Sequence, residues 1–253
     1  MAQLVVTDVS VRFGGITALD GLSFSVEPGQ ICGLIGPNGA GKTTLFNCVS
    51  RIYATTSGSI TLGDTDLLSV PAHRIAHHGV ARTFQNLGLF PSLTFLENTM
   101  AGAYANSRVG YLRALTRIGV AKEERILRTQ AYELLDFLGL AHLAFEKAAD
   151  QPFGTLKRLE LARALASDPR LLLLDEPAGG LTHSEVDELT DVIRRVRDSF
   201  GLTVLLVEHH MAMVMGISDH VVAMNFGRKI ADGPPEKVRQ HPEVVSAYLG
   251  APA

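Results

Sequence analysis

The stretch GPNGAGKTT, residues 36 to 44, constrains this chain more than any other. It sets Gly36, Gly41, Lys42 and Thr43 in the spacing G-x-x-x-x-G-K-[ST]. ICGLI (31–35) comes before it, continuously apolar and partly β-branched, as a buried strand should be. KTTLFNCVSRI (42–52) comes after it and reads as a helix. Glycines let the backbone curl tightly, so that successive N–H groups point inward at phosphate oxygens. The start of the helix adds its partial positive charge. Gly36, Pro37, Asn38, Gly39, Ala40, Gly41, Lys42, Thr43 and Thr44 are therefore the expected cradle for the phosphates of a nucleotide. Lys42 would reach the β- and γ-phosphates, and the Thr43 hydroxyl would bind Mg²⁺.

RLLLLDEP (170–177) supplies a second half. Asp175, at the end of an apolar strand, suits the shell of a hard cation, directly or through water. Glu176 is the adjacent carboxylate and has the chemistry to polarise an attacking water. Two carboxylates after a strand can be no more than a helix-start signal, but a phosphate cradle in the same chain argues against that reading.

The rest of the chain frames these motifs. LVVTDVSV, LSFSV, SGSITLG and VARTFQ (80–85) read as further strands. Residues 94 to 149 hold no convincing strand. TFLE is a capping box, with Thr94 as N-cap and Glu97 three residues on. AKEERILRTQAYELLDFLGL is amphipathic at helical spacing, with Ile126, Leu127, Ala131, Leu134, Leu135 and Leu138 on one side. Alternation of strand and helix resumes with RLLLL, a helix from about 183 capped by Thr182 and Glu185, then TVLLV, DHVVAMN and RKIADG. Two short helices are expected after Pro234 and Pro242. The pattern is that of an α/β domain, residues 1–85 and 166–253, with a helical subdomain inserted at 86–165.

The formal charge of -3 builds no basic field, so nucleic acid is not an expected partner. Arg108, Arg113, Arg117, Lys122, Arg125 and Arg128 bias the insert toward basic, which is expected of a solvated helical face. No apolar run approaches the roughly 20 residues needed to cross a bilayer. The N-terminus lacks the pattern of a signal peptide and reads as a strand. Cys32 and Cys48 sit in apolar surroundings and are expected to be reduced core residues.

With these motifs in this order, the chain resembles the nucleotide-binding subunit of ATP-binding-cassette (ABC) transporters over nearly its whole length. The resemblance implies a P-loop NTPase core with an antiparallel β subdomain and an inserted helical subdomain. It implies that Phe13 stacks on adenine, and that Gln85 in RTFQN contacts Mg²⁺ or the water. It implies that Glu176 is the catalytic glutamate and that His209 in LLVEHH contacts the γ-phosphate. His210 receives no role. The family's signature, usually Leu-Ser-Gly-Gly-Gln, aligns with Gln151, Pro152, Phe153, Gly154 and Thr155, of which only Gly154 matches. The D-loop also departs, with Gly179, Gly180, Leu181 and Thr182 where Ser-Ala-Leu-Asp is usual. Gly154 and Thr155 are expected to meet the ATP held by a partner subunit.

RTFQNLGLFPSLTFLEN, the long insert and the ending ADGPPEKVRQHPEVVSAYLG are similar to importer ATPases for branched-chain amino acids and related small solutes. This implies an ATPase peripheral on the cytoplasmic face of the inner membrane. It would pair with a second ATPase subunit, identical or not, and with separate permease subunits, and indirectly with a solute-binding protein. An ATPase for lipid or lipopolysaccharide export, and a soluble ATP-driven clamp, are the alternatives.

Overall fold

The computed structural model describes residues 2–104, 120–149 and 151–249. Four strands form an antiparallel sheet in the order β2-β1-β4-β5: β1 (Leu4–Phe13), β2 (Ile16–Val26), β4 (Ser57–Leu62) and β5 (Thr65–Asp66). Six strands form a mixed sheet in the order β10-β9-β3-β8-β7-β6: β3 (Ile31–Ile35), β6 (Val80–Arg82), β7 (Leu171–Asp175), β8 (Thr203–Val207), β9 (His220–Asn225) and β10 (Arg228–Gly233). In the second sheet β6, β7, β8, β3 and β9 run parallel, and only β10 is antiparallel.

The strand period of two explains how one sheet serves two cores. Cys32, Leu34, Leu171, Leu173, Leu205 and Val207 point to one face. There they pack with β1, β2, β4 and helix α1 (Lys42–Val49). Ile31, Leu172, Leu174, Val204 and Leu206 point to the other face. That face is covered by α2 (Phe95–Ala103), α3 (Val120–Phe137), α4 (Phe153–Leu165) and α5 (His183–Phe200). A third cluster joins Ile35, Val221 and Ala223 to α6 (Met211–Ile217), α7 (Pro235–Arg239) and α8 (Pro242–Leu249) through Val214, Val238 and Val244. Cys32 and Cys48 are both free and buried, and burial raises both thiols, Cys48 to about 11.

The expected elements are present, with shifted ends. The helix after the phosphate cradle stops at Val49 rather than Ile52, because Arg51 adopts a left-handed φ of 62° that no helix continues. The strand expected over 80–85 ends at Arg82. Thr83 still donates its N–H to Leu173, but the Phe84 N–H turns to the Glu160 carboxylate at 2.8 Å. Both capping boxes form, Thr94 with Glu97 and Thr182 with Glu185. In α3, Ala131 and Leu135 are buried as expected, as is Leu138 just beyond it, whereas Ile126 is exposed. Arg108, Arg113 and Arg117 lie outside the described residues, as does the side chain of Lys122. Arg125 and Arg128 are solvent-exposed.

Candidate functional site

Strand order decides where the chemistry falls. β3, β8, β7 and β6 are parallel neighbours, and a functional segment leaves the carboxyl end of each: the glycine loop, Glu208–His209, Asp175–Glu176 and Thr83–Gln85. Ligands bind at this end of a parallel sheet.

The loop after β3 requires its glycines. At Gly36 (φ 157°) an added Cβ would lie 2.3 Å from the Met224 carbonyl oxygen. At Gly41 (φ 101°) it would lie 2.6 Å from the Ala18 carbonyl oxygen. Gly41 is the N-cap of α1, so the amides of the first turn carry no side-chain cap. The loop is pinned from outside by Gly227, which donates to the Ala40 carbonyl at 3.0 Å. Lys42 folds back over it, donating to the carbonyls of Gly36 at 2.6 Å and Pro37 at 3.0 Å. Burial holds the Lys42 ammonium below its ordinary pKa, against the pull of Glu176 and Asp175 in the other direction. Thr43 is exposed on the first turn and Thr44 is half-buried.

Glu176 is where the separated motifs meet. Its Oε2 accepts from Gln85 Nε2 at 2.7 Å, and its Oε1 lies 2.8 Å from His209 Nε2. The residue holds a left-handed φ of 49°, a conformation that costs a non-glycine residue on the order of 1–3 kcal/mol. It is held there by its N–H on the Val207 carbonyl at 2.8 Å and by the Gly179 N–H on its own carbonyl at 3.1 Å. A carboxylate bracketed by an amide and an imidazole, within electrostatic reach of a lysine that caps a phosphate cradle, can orient a water against a phosphoryl group. Asp175 is buried beside it, and its Oδ2 accepts from Arg82 at 2.7 Å.

Other expected site residues lie apart. Phe13, at the end of β1, is 45% exposed and meets the edge of Tyr53, ring centroids 5.2 Å apart. Pro152 is the N-cap of α4, and Phe153 rather than Pro152 opens its first turn. The Phe153 ring lies against Gly180, where an added Cβ would stand 3.1 Å from it. One on Gly154 would stand 2.8 Å from Glu185 Oε1. The two atypical stretches, 151–155 and 179–182, are thus packed against each other.

Three residues of the site region escaped the sequence reading. Glu208 is 3% exposed, and its carboxylate accepts from the N–H groups of Ala178 at 2.6 Å, His209 at 2.8 Å and His210 at 3.1 Å. It ties the loop after Glu176 to the turn that carries His209. Glu160, raised in pKa by burial, anchors the segment leading to Gln85. Arg82 holds Asp175. The available signal was a charged residue at the end of an apolar strand or inside an apolar helix, where burial demands a partner.

A cradle of this kind, two carboxylates on the next strand but one, and a glutamine and a histidine converging on the second carboxylate define a nucleotide-hydrolysing cassette. The chain belongs to the ABC transporter family: the model described as "ABC transporter" matches residues 19–179, and a second, "Branched-chain amino acid ATP-binding cassette transporter", matches residues 228–253. It carries the ATPase domain of that family. It is 42% identical over 248 residues to the high-affinity branched-chain amino acid transport ATP-binding protein BraF of Pseudomonas aeruginosa, covering 98% of this chain and 97% of that protein. It is 40% identical over 250 residues to LivG of Escherichia coli, a protein of the same description, covering 98% and 97%. Among solved structures it is similar to the ADP conformation of an ATP-binding cassette of an ABC transporter, with a TM-score of 0.86 and 30% identity over 99% of this chain and 100% of that one.

Proposed function

We propose that this chain is the ATP-hydrolysing subunit of an importer for branched-chain amino acids or related small solutes. The observation that carries the chemistry is the convergence of Gln85 and His209 on Glu176 beside the Lys42 cradle. The solute class is supported by the BraF and LivG similarity and by the C-terminal match at 228–253. The same similarity disfavours lipid export and a soluble clamp.

In this reading the backbone N–H groups of the loop from Asn38 to Thr44 hold the phosphates, and Lys42 leaves the two carbonyls for the β- and γ-phosphates. Phe13 lies beneath adenine. The donor set fits Mg²⁺: Thr43 and Asp175 offer hard oxygens, and among the described residues no cluster of three or more His, Cys, Asp or Glu would hold a metal without the nucleotide. Bound there, Mg²⁺ would neutralise charge developing on the phosphates. Glu176 takes the proton of the attacking water, Gln85 orients that water and can reach the metal shell, and His209 contacts the γ-phosphate. Gly154 and Thr155, with the start of α4, face the nucleotide of a second ATPase subunit, where backbone N–H groups serve in place of the usual serine.

A groove between the segment 50–52, the 3-10 helix Ala72–His78, β6 with the segment that follows it to Phe84, and the crossing of α2 and α4 bears the exposed side chains of Ile52, Phe84 and Phe90. It sits next to Gln85 and fits an apolar element of a permease. No helix among the described residues is long and apolar enough to cross a membrane, so spanning falls to that partner. The chain would then be peripheral on the cytoplasmic face. We assign the α/β core to residues 1–85 and 166–253 and the helical subdomain to 86–165. Uptake of radiolabelled leucine, isoleucine and valine in a deletion strain tests the function. Loss of uptake, restored by the wild-type gene and not by a Lys42→Ala gene, is expected. Normal uptake with an outer-membrane lipid defect would overturn the import reading.

A further inference from the structure

Arg82 ends β6, and Asp175 ends its neighbour β7. Both side chains are almost closed to solvent, each 8% exposed. One terminal nitrogen of the guanidinium donates to Asp175 Oδ2 at 2.7 Å. The other donates to Asn47 Oδ1 at 2.8 Å and to Ser50 Oγ at 3.3 Å, at the end of α1. The Phe46 and Phe84 rings flank the group, with centroids 5.4 and 5.2 Å from Cζ. Nε is buried and has no hydrogen-bond partner among the described residues.

This is a poor arrangement for stability alone. A buried ion pair roughly breaks even against apolar packing. It is a good arrangement for geometry. The planar fork binds three acceptors at once and cannot lose its charge, so the carboxylate oxygen it grips is held at a set place. The helix whose first turn forms the phosphate cradle is gripped at its other end by the same group.

We propose that Arg82 is the positioning residue of the metal carboxylate: it commits Oδ2 of Asp175 and leaves Oδ1 for the Mg²⁺ shell, at a fixed place relative to the phosphate loop. The inference rests on the reading above, in which Asp175 belongs to that shell. Two effects follow, and they have opposite signs. Losing the fork but not the charge lets the carboxylate turn and weakens the metal. Losing the charge leaves Asp175 uncompensated, which attracts Mg²⁺ and repels metal-free ATP.

The test is calorimetric binding of ATP to the purified full chain in EDTA and in Mg²⁺, with thermal stability measured alongside. The readout is the ratio of metal-free to Mg²⁺-saturated Kd. Arg82→Lys should lower this ratio about tenfold, the low end for outer-shell partners of a metal, with metal-free affinity within about twofold of wild type. Arg82→Met should raise the ratio. Asn47→Ala, which removes one anchor and spares the Asp175 bond, should lower it less than Arg82→Lys does, and it serves if Arg82→Lys does not fold. Reduced stability with an unchanged ratio in Arg82→Lys and Asn47→Ala would overturn the proposal. A wild-type ratio near one, or one that Asp175→Asn leaves unchanged, would instead overturn the underlying metal reading.

Discussion

Replacing Glu176 with Gln exchanges one oxygen for an amide and removes the basic group while leaving shape intact. The ground state should tolerate it. Two groups meet the carboxylate, Gln85 at 2.7 Å and His209 at 2.8 Å. The Gln85 amide can rotate to present its own oxygen to the new NH₂, so the contact is kept with its direction reversed. The His209 contact keeps the remaining carbonyl oxygen as acceptor. The strained backbone at φ 49° costs a glutamine what it costs a glutamate. ATP affinity should therefore stay within about threefold of wild type. Chemistry should not. Loss of a positioned general base slows proton transfer by about 10²–10⁴-fold. At 1.36 kcal/mol per tenfold, that is about 2.7–5.4 kcal/mol added to the barrier. Steady-state phosphate release measures the rate, equilibrium binding the affinity, and size-exclusion chromatography the ATP-trapped dimer that should accumulate. Turnover at the wild-type rate would refute the role of Glu176 outright. A parallel loss of affinity would show that the carboxylate was holding the site together rather than acting on water.

Lys42→Ala should abolish the MgATP-induced rise in Tm, because it removes the one side-chain cation of the cradle; an undiminished rise would mean the phosphates lie elsewhere. Gly154→Asp sets a carboxylate next to that of Glu185, where even a Cβ stands 2.8 Å from Oε1, and it should nearly abolish turnover while sparing ATP binding by the monomer. Normal hydrolysis by that variant would show that α4 does not face a nucleotide. Glu160 gives a pH signature. Burial raises its folded pKa above the ordinary 4.5, so the folded state holds the proton more tightly than the unfolded one. The stability this contributes is complete below pH 4.5 and is lost as pH rises through the folded value. Glu160→Gln, still able to accept from the Phe84 N–H, should flatten that part of a urea-denaturation series; an unchanged slope would place it on another group.

Much of this protein is legible from its residues in order. The phosphate cradle is contiguous, and its glycine spacing, apolar strand and helix start are read from near neighbours along the chain, although the carbonyls of Ala18 and Met224 that crowd Gly41 and Gly36 come from distant strands. The two capping boxes are local for the same reason, as is the division of ICGLI, RLLLL and TVLLV between two faces. Local reading erred where a distant group intervened: VARTFQ leaves its sheet early because the Phe84 N–H finds Glu160, 76 residues away. The resemblance named Gln85, Glu176 and His209, but only the tertiary structure brings them together across separations of 91 and 33 residues. It alone pairs Arg82 with Asp175, 93 residues on, and gives Glu208 its three amides. The physical reason is strand order. Periodicity says which face of a strand is buried. Which strands lie side by side is decided by packing of the whole core, and here β6, β7, β8 and β3 are neighbours in an order that the chain does not follow.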